Sequence, residues 1–229
     1  MTQTQTRNQF DGEELAIITG ETLGRPTTIL GIAGSLRQNS YNRLLLKAAS
    51  KLLSPSTRLE IFEIDRIPLY NQDLEERTFP EEVKDFKRKI EGSDALLIST
   101  PEYNHSYPGV LKNAIDWASR PYGHNSFEGK PTAVISASPG LFGGLAAQDQ
   151  LKQVLLALNI RLVVQPAVIV TSVQQKIDEE GGILDPNTKQ FLQQLITNIV
   201  NLARLSTRYE QTFALALQPI IADRLRKRE

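Results

Sequence analysis

An α/β fold is predicted: a three-layer sandwich on a five-stranded parallel sheet of order 2-1-3-4-5, followed by an extra helical segment at the C-terminus. Three observations predict it. From residue 27 onward, five short apolar runs alternate with five segments of helical period. The runs are apolar throughout, as strands buried on both faces are. The loops richest in glycine and polar groups follow runs one, three and four. In that strand order these loops gather at the switch point outside the carboxyl ends of the strands, where such sheets bind ligands. Right-handed crossovers leave few competing topologies.

The elements follow in order. Residues 1–26 are rich in Thr, Gln, Glu and Gly and read as a tail outside the core, with a short apolar run at Leu15, Ala16, Ile17 and Ile18. The strand candidates are 28–33, 58–64, 95–100, 132–136 and 162–170. Between and after them come helical stripes: Leu45, Ala49 and Leu52; Val83, Phe86 and Ile90; Val110, Ala114 and Trp117; Ala147, Leu151, Val154 and Leu158; Phe191, Leu195, Ile196 and Ile199. Each stripe repeats at the 3.6-residue period. Residues 27–205 thus form one ligand-binding domain. Residues 206–229 form an extension whose Phe213, Leu217, Ile220, Ile221 and Leu225 make a further stripe, interrupted at Pro219. Such a face must cover something, either the chain's own surface or a partner subunit. The basic residues at 224–228 read as its solvated end.

Composition narrows the function. At 229 residues and 40% hydrophobic, the chain can bury one sizeable core. Lys+Arg and Asp+Glu both number 26, and this balance argues against nucleic acid or an anionic membrane as the main partner. The absence of cysteine excludes disulfides, thiolate nucleophiles and cysteine metal sites. The two histidines, His105 and His124, are too few to build a histidine metal centre. No apolar run approaches the roughly 20 residues of a membrane span, and no signal peptide is visible. A cytoplasmic protein is expected.

The chemistry concentrates in residues 28–41, Thr-Ile-Leu-Gly-Ile-Ala-Gly-Ser-Leu-Arg-Gln-Asn-Ser-Tyr. Gly31 and Gly34 permit a tight turn and close backbone approach. The free amides at the start of the next helix attract an anion. Ser35, Ser40 and Asn42 can hydrogen-bond phosphate oxygens, and Arg37 can add a charge-assisted contact. The nucleotide P-loop is missing, and Gly31-x-x-Gly34 lacks the third glycine of the dinucleotide fingerprint. A serine- and asparagine-rich loop suits a terminal monophosphate. A plain strand–helix turn with Ser40 as N-cap would use the same residues. The loops after runs three and four carry the remaining polar groups: Thr-Pro-Glu-Tyr-Asn-His-Ser-Tyr-Pro-Gly at 100–109 and Ser-Ala-Ser-Pro-Gly-Leu-Phe-Gly-Gly at 136–144.

Gly-Ser-Leu-Arg-x-x-Ser-x-Asn at 34–42 and Pro-Glu-Tyr-Asn at 101–104 resemble the NAD(P)H-dependent FMN reductases, a family that includes chromate-, quinone- and azo-reducing flavoproteins. The continuation through Trp117 and the glycine-rich 136–144 fit the same pattern, so the resemblance covers about residues 27–205. It implies a flavodoxin-like fold, non-covalent FMN, and NADPH or NADH as co-substrate. It places the FMN phosphate on Ser35, Arg37, Ser40 and Asn42. It sets Pro101, Glu102, Tyr103 and Asn104 against the isoalloxazine ring, largely through backbone, with Ser136 closing the ribityl side. It implies a homodimer or homotetramer and a small-molecule acceptor such as a quinone, an azo compound or a metal oxyanion. No catalytic side chain is required, because the flavin carries the chemistry. The alternative is a flavodoxin-type FMN electron carrier without NAD(P)H activity; carriers of that type are strongly acidic, and this chain is balanced.

Other candidates have plainer readings. His105 suits a surface or interface group, Glu102 a contact to a backbone or to a partner subunit, Asp116 and Trp117 helix packing. Arg43 and Arg120 could meet a 2′-phosphate, and the sequence does not decide between NADPH and NADH.

Overall fold

The computed structural model describes residues 25–226, mostly backbone alone beyond residue 209. The expectations for residues 1–24, for the side chains of the 213–225 stripe and for the basic end at 224–228 lie outside the described residues.

Strands β1 (Thr27–Ala33), β2 (Thr57–Phe62), β3 (Ala95–Ser99), β4 (Pro131–Ala137), β5 (Arg161–Leu162) and β6 (Val168–Val170) form one parallel sheet of order β2-β1-β3-β4-β5, with β6 also on β4. The predicted order is therefore observed, with one correction. The strand expected over 162–170 is two short strands on the same edge of β4. Thr132 pairs with Leu162 and Ile135 with Val168, so five residues, 163–167, span the two positions Ala133 and Val134. Pro166 lies in this excursion and has no N–H to offer the ladder.

The helices are α1 (Tyr41–Ser50), α2 (Gln72–Arg77), α3 (Glu81–Gly92), α4 (Gly109–Ala118), α5 (Leu145–Ala157) and α6 (Pro186–Arg226). Short α2, in the loop after β2, was not foreseen. Helix α3 starts on two glutamates and ends near Lys89, as its dipole prefers. Helix α6 runs 41 residues, about 60 Å, through position 219 without the expected interruption. Its buried stripe begins at Leu192 and continues through Leu195, Ile196 and Ile199; Phe191, expected in that stripe, is exposed.

Side-chain alternation divides the core. Ile29 and Ala33 of β1, Ala95 and Leu97 of β3, and Ala133, Ile135 and Ala137 of β4 pack with α1 and α6. Leu30, Ile32, Leu96, Ile98 and Val134 pack with α3, α4 and α5. The strands alternate with period two, yet both sets are apolar because both faces are covered. Gly31, expected in the phosphate turn, lies inside β1; a Cβ there would meet Leu59 at 3.1 Å, so its bareness serves packing. Arg25, assigned to the tail, forms an ion pair with Asp94 at 2.6 Å.

Candidate functional site

The carboxyl ends of β1, β3 and β4 converge on a cavity of about 230 Å³. Ser35, Arg37, Ser40, Asn42, Pro101, Glu102 and Tyr103 line it, together with Tyr41, Ala137, Ser138 and Pro139. Seven of the nine residues assigned from sequence therefore meet in one place.

The first wall is the turn from β1 into α1. The amide of Gly34 donates to the Ser99 carbonyl at 2.8 Å, so the chain leaves the sheet directly beside β3. A Cβ on Gly34 would stand 3.0 Å from Leu111 and 3.4 Å from Pro101, so glycine lets the first and second loops close on each other. Ser40 is the N-cap: its Oγ accepts from the amide of Asn42 at 3.2 Å, leaving its hydroxyl hydrogen free to donate. Ser35 Oγ accepts from the amide of Arg37 at 3.3 Å and lies 3.4 Å from the Tyr103 hydroxyl. The amides of Leu36, Gln38 and Asn39, and the guanidinium of Arg37, have no partner among the described residues.

Asn42 is 2% exposed, and its side chain is occupied. Its Nδ2 donates to the Ala137 carbonyl at 3.0 Å, while its Oδ1 accepts from the Ala137 amide at 3.0 Å and from Ser99 Oγ at 2.9 Å. Residues 99 and 137 share the α1 face of the sheet, and Asn42 ties both strand ends to the first loop.

The second wall is the loop after β3. Tyr103 and Ser106 exchange backbone hydrogen bonds of 2.9 and 3.1 Å. Between them Asn104 and His105 have φ of 52° and 62°, as a tight mirror-image turn requires of both central residues. The Tyr103 amide is thereby spent. Those of Glu102 and Asn104 have no partner among the described residues. Gln150 of α5 holds the turn by donating to the His105 carbonyl at 2.6 Å and accepting from Ser106 Oγ at 2.7 Å.

Glu102 completes the clamp. Helix α5 begins after Gly144, at φ 96°, where a Cβ would lie 2.7 Å from that of Ser136. A glycine cap offers no side-chain acceptor. Glu102 Oε2 takes that place, accepting from the amides of Ala146 at 3.0 Å and Ala147 at 3.3 Å. A carboxylate at a helix N-terminus also meets the favourable end of the dipole.

Two assigned residues lie outside the cavity lining. Asn104 is exposed at the turn. Ser136 is fully buried on the opposite face of β4, where its Oγ accepts from Gln148 Nε2 at 2.9 Å. Its neighbours Ala137, Ser138 and Pro139 face the cavity instead. The period-two alternation of β4 was the signal that distinguishes them. His105 is exposed, 3.6 Å from Glu102. Trp117 is fully buried and donates to the Pro68 carbonyl at 2.8 Å. Beyond the loop, partial burial pushes the Tyr107 phenol up.

Residues 27–175 match the family model for NADPH-dependent FMN reductase. The chain belongs to that family. An NAD(P)H-dependent FMN reductase of Pseudomonas aeruginosa is 46% identical over 166 residues, covering 72% of this chain and 89% of the relative. A 2-hydroxy-1,4-benzoquinone reductase of a Burkholderia species is 43% identical over 162 residues, covering 71% and 88%. Among solved structures, FerB, a flavoenzyme NAD(P)H:(acceptor) oxidoreductase of Paracoccus denitrificans, is similar with a TM-score of 0.73 and 41% identity, covering 77% of this chain and 97% of that one.

The cavity fits the cofactor of this family. A monophosphate needs several donors from different directions, and Ser35, Ser40, Arg37 and the free loop amides supply them. The one carboxylate in the lining, Glu102, is engaged with α5 rather than turned against an anion. No helix among the described residues is long and apolar enough to cross a membrane.

Proposed function

We propose that this chain carries electrons from NAD(P)H, through FMN seated at the carboxyl ends of β1, β3 and β4, to a small quinone-like acceptor, with azo compounds and metal oxyanions as further candidates. The observation that carries the reading is the convergence of unpaired donors in residues 35–40 with the clamped 101–106 loop over one cavity. FMN, when bound, supplies the redox chemistry.

In this reading Ser35, Arg37 and Ser40 hold the phosphate. Asn42 positions the loop that presents them. The amides of Glu102 and Asn104 face the polar edge of the ring, and the half-exposed ring of Tyr103 borders the mouth. Glu102 and Gln150 fix that loop, so the site is formed before the cofactor arrives. No side chain is assigned as a proton donor. The acceptor class is drawn from relatives whose names specify quinones. The balanced charge supports an enzyme over an acidic electron carrier.

The reading includes a homodimer or homotetramer, since Tyr103, Leu141 and Phe142 expose apolar surface near the mouth. It includes a cytoplasmic location, where NADPH and NADH are supplied. Steady-state oxidation of NADPH or NADH with a benzoquinone, with and without added FMN, tests it. Turnover that requires FMN and quinone together is expected, and FMN-loaded protein that oxidises neither nucleotide overturns it.

A further inference from the structure

A second groove, about 450 Å³, adjoins the FMN cradle and shares Arg37, Ser40 and Tyr41 with it. It continues along α1 past Arg43, Leu44 and Lys47 to Glu179. Three cations face one carboxylate there. Lys47 is exposed, and its ammonium has no ion pair or hydrogen bond among the described residues; the same is true of the Arg37 guanidinium. Arg43 is paired on one side with Glu63, while its Nε has no acceptor.

These charges sit unequally on their own helix: Lys47, in the last turn of α1, suits the dipole. Arg43 and Lys47 are four residues apart, on one face, with like charge. Arg43 also stands in the first turn of α1, where the dipole disfavours a cation, and that turn holds no acidic residue. A bound anion would relieve both. The cradle phosphate does not account for the arrangement, because Lys47 lies outside the cradle lining. The groove is larger than the cradle and open to it, which suits a phosphate carried on an extended molecule.

We propose that Arg43 and Lys47, next to the Arg37 that serves the cradle, form a second subsite for a phosphate-type dianion. Resting on the function above, its occupant is the 2′-phosphate that distinguishes NADPH from NADH. The same chemistry would also hold a free inorganic oxyanion, so the test separates the two.

The full chain is loaded with FMN, which fills the first cradle, and Lys47→Ala, Lys47→Glu and Lys47→Arg are compared with wild type. KM values for NADPH and NADH are measured with a saturating quinone, and inorganic phosphate is titrated by calorimetry. For Lys47→Ala the KM for NADPH is expected to rise about tenfold at unchanged kcat, as loss of one exposed charge-assisted contact predicts. The KM for NADH stays fixed, Lys47→Glu exaggerates the effect and Lys47→Arg restores it. Weakened phosphate binding with an unchanged NADPH KM assigns the subsite to a free oxyanion. If neither quantity changes in FMN-loaded variants that still turn over NADH, the subsite is overturned and the parent reading stands. Failure of the wild type to take up FMN overturns both.

Discussion

The side-chain amide of Asn42 and the backbone of Ala137 form a closed pair of hydrogen bonds, each 3.0 Å long, across 95 residues of chain. Asparagine presents a donor and an acceptor in the geometry of a peptide group, so it extends β4 by one rung where the strand runs out. Ser99 adds a third bond from β3 at 2.9 Å. The loop between β1 and α1 is thereby referenced to the ends of both strands.

Asn42→Ala should strand the Ala137 amide and carbonyl and the Ser99 hydroxyl in a buried site. A loss of about 1–3 kcal/mol is expected, read as a lower Tm, together with weaker FMN binding. Asn42→Asp keeps the acceptor but sets a carboxylate against the Ala137 carbonyl and beneath the phosphate. Its FMN affinity should fall further than that of the alanine variant in a fluorescence titration.

Arg37→Ala should leave Tm unchanged, because the guanidinium makes no hydrogen bond or ion pair with another described residue. FMN affinity should drop by about 1.5–3 kcal/mol if the contact to phosphate is charge-assisted. Unaltered affinity would take Arg37 out of the cradle.

Glu102→Ala removes the acceptor for the amides of Ala146 and Ala147. An N-cap loss of about 0.5–2 kcal/mol is expected. Hydrogen exchange should speed up at Tyr103 and Ser106, whose paired amides the clamp steadies, and at the start of α5. Exchange confined to α5 would show that Glu102 does not hold the loop.

Gly34→Val places γ-methyls beyond a Cβ that already meets Leu111 at 3.0 Å. Overpacking of about 1–3 kcal/mol and loss of FMN occupancy should follow, because the first and second loops are pushed apart. Full occupancy would contradict the cradle.

Much of this was legible in the sequence, and the exceptions have physical causes. Apolar runs and helical stripes located the strands and the loops that meet at their ends, since burial on two faces leaves an unmistakable pattern. The pattern does not resolve register: Phe191 and Leu192 both suit a helical stripe, and only packing selects Leu192. The apolar run over 162–170 hid a break at Pro166. The resemblance points to Ser136 on the ribityl side, whereas strand alternation turns its neighbour Ala137 to the cavity and Ser136 to the other face of β4. Residue types also reveal what a side chain can bond and not what it does bond. The partners of Glu102 lie 44 residues away, on the helix whose glycine cap needs them.

Asp185 gives a pH test of α6. Its carboxylate accepts from Thr188 Oγ1 at 2.6 Å and from the Thr188 amide at 2.8 Å, and these bonds hold its pKa below the usual range. A carboxyl with a depressed folded-state pKa stabilises fully above its unfolded value, about 4, and loses that contribution as pH falls through the folded value. Asp185→Ala should therefore lower Tm near neutrality, with the gap to wild type closing as pH drops below about 4. A gap independent of pH would rule out the ionised cap.

The central claim is an FMN cradle that NAD(P)H can reach. It is tested most directly by loading the purified protein with FMN, then adding NADPH and NADH anaerobically while following flavin absorbance. The account predicts one FMN per chain, bleaching of the yellow band by at least one nucleotide, and its return when a quinone is added. A protein that binds FMN yet stays yellow with both nucleotides, or that binds no FMN, would contradict it.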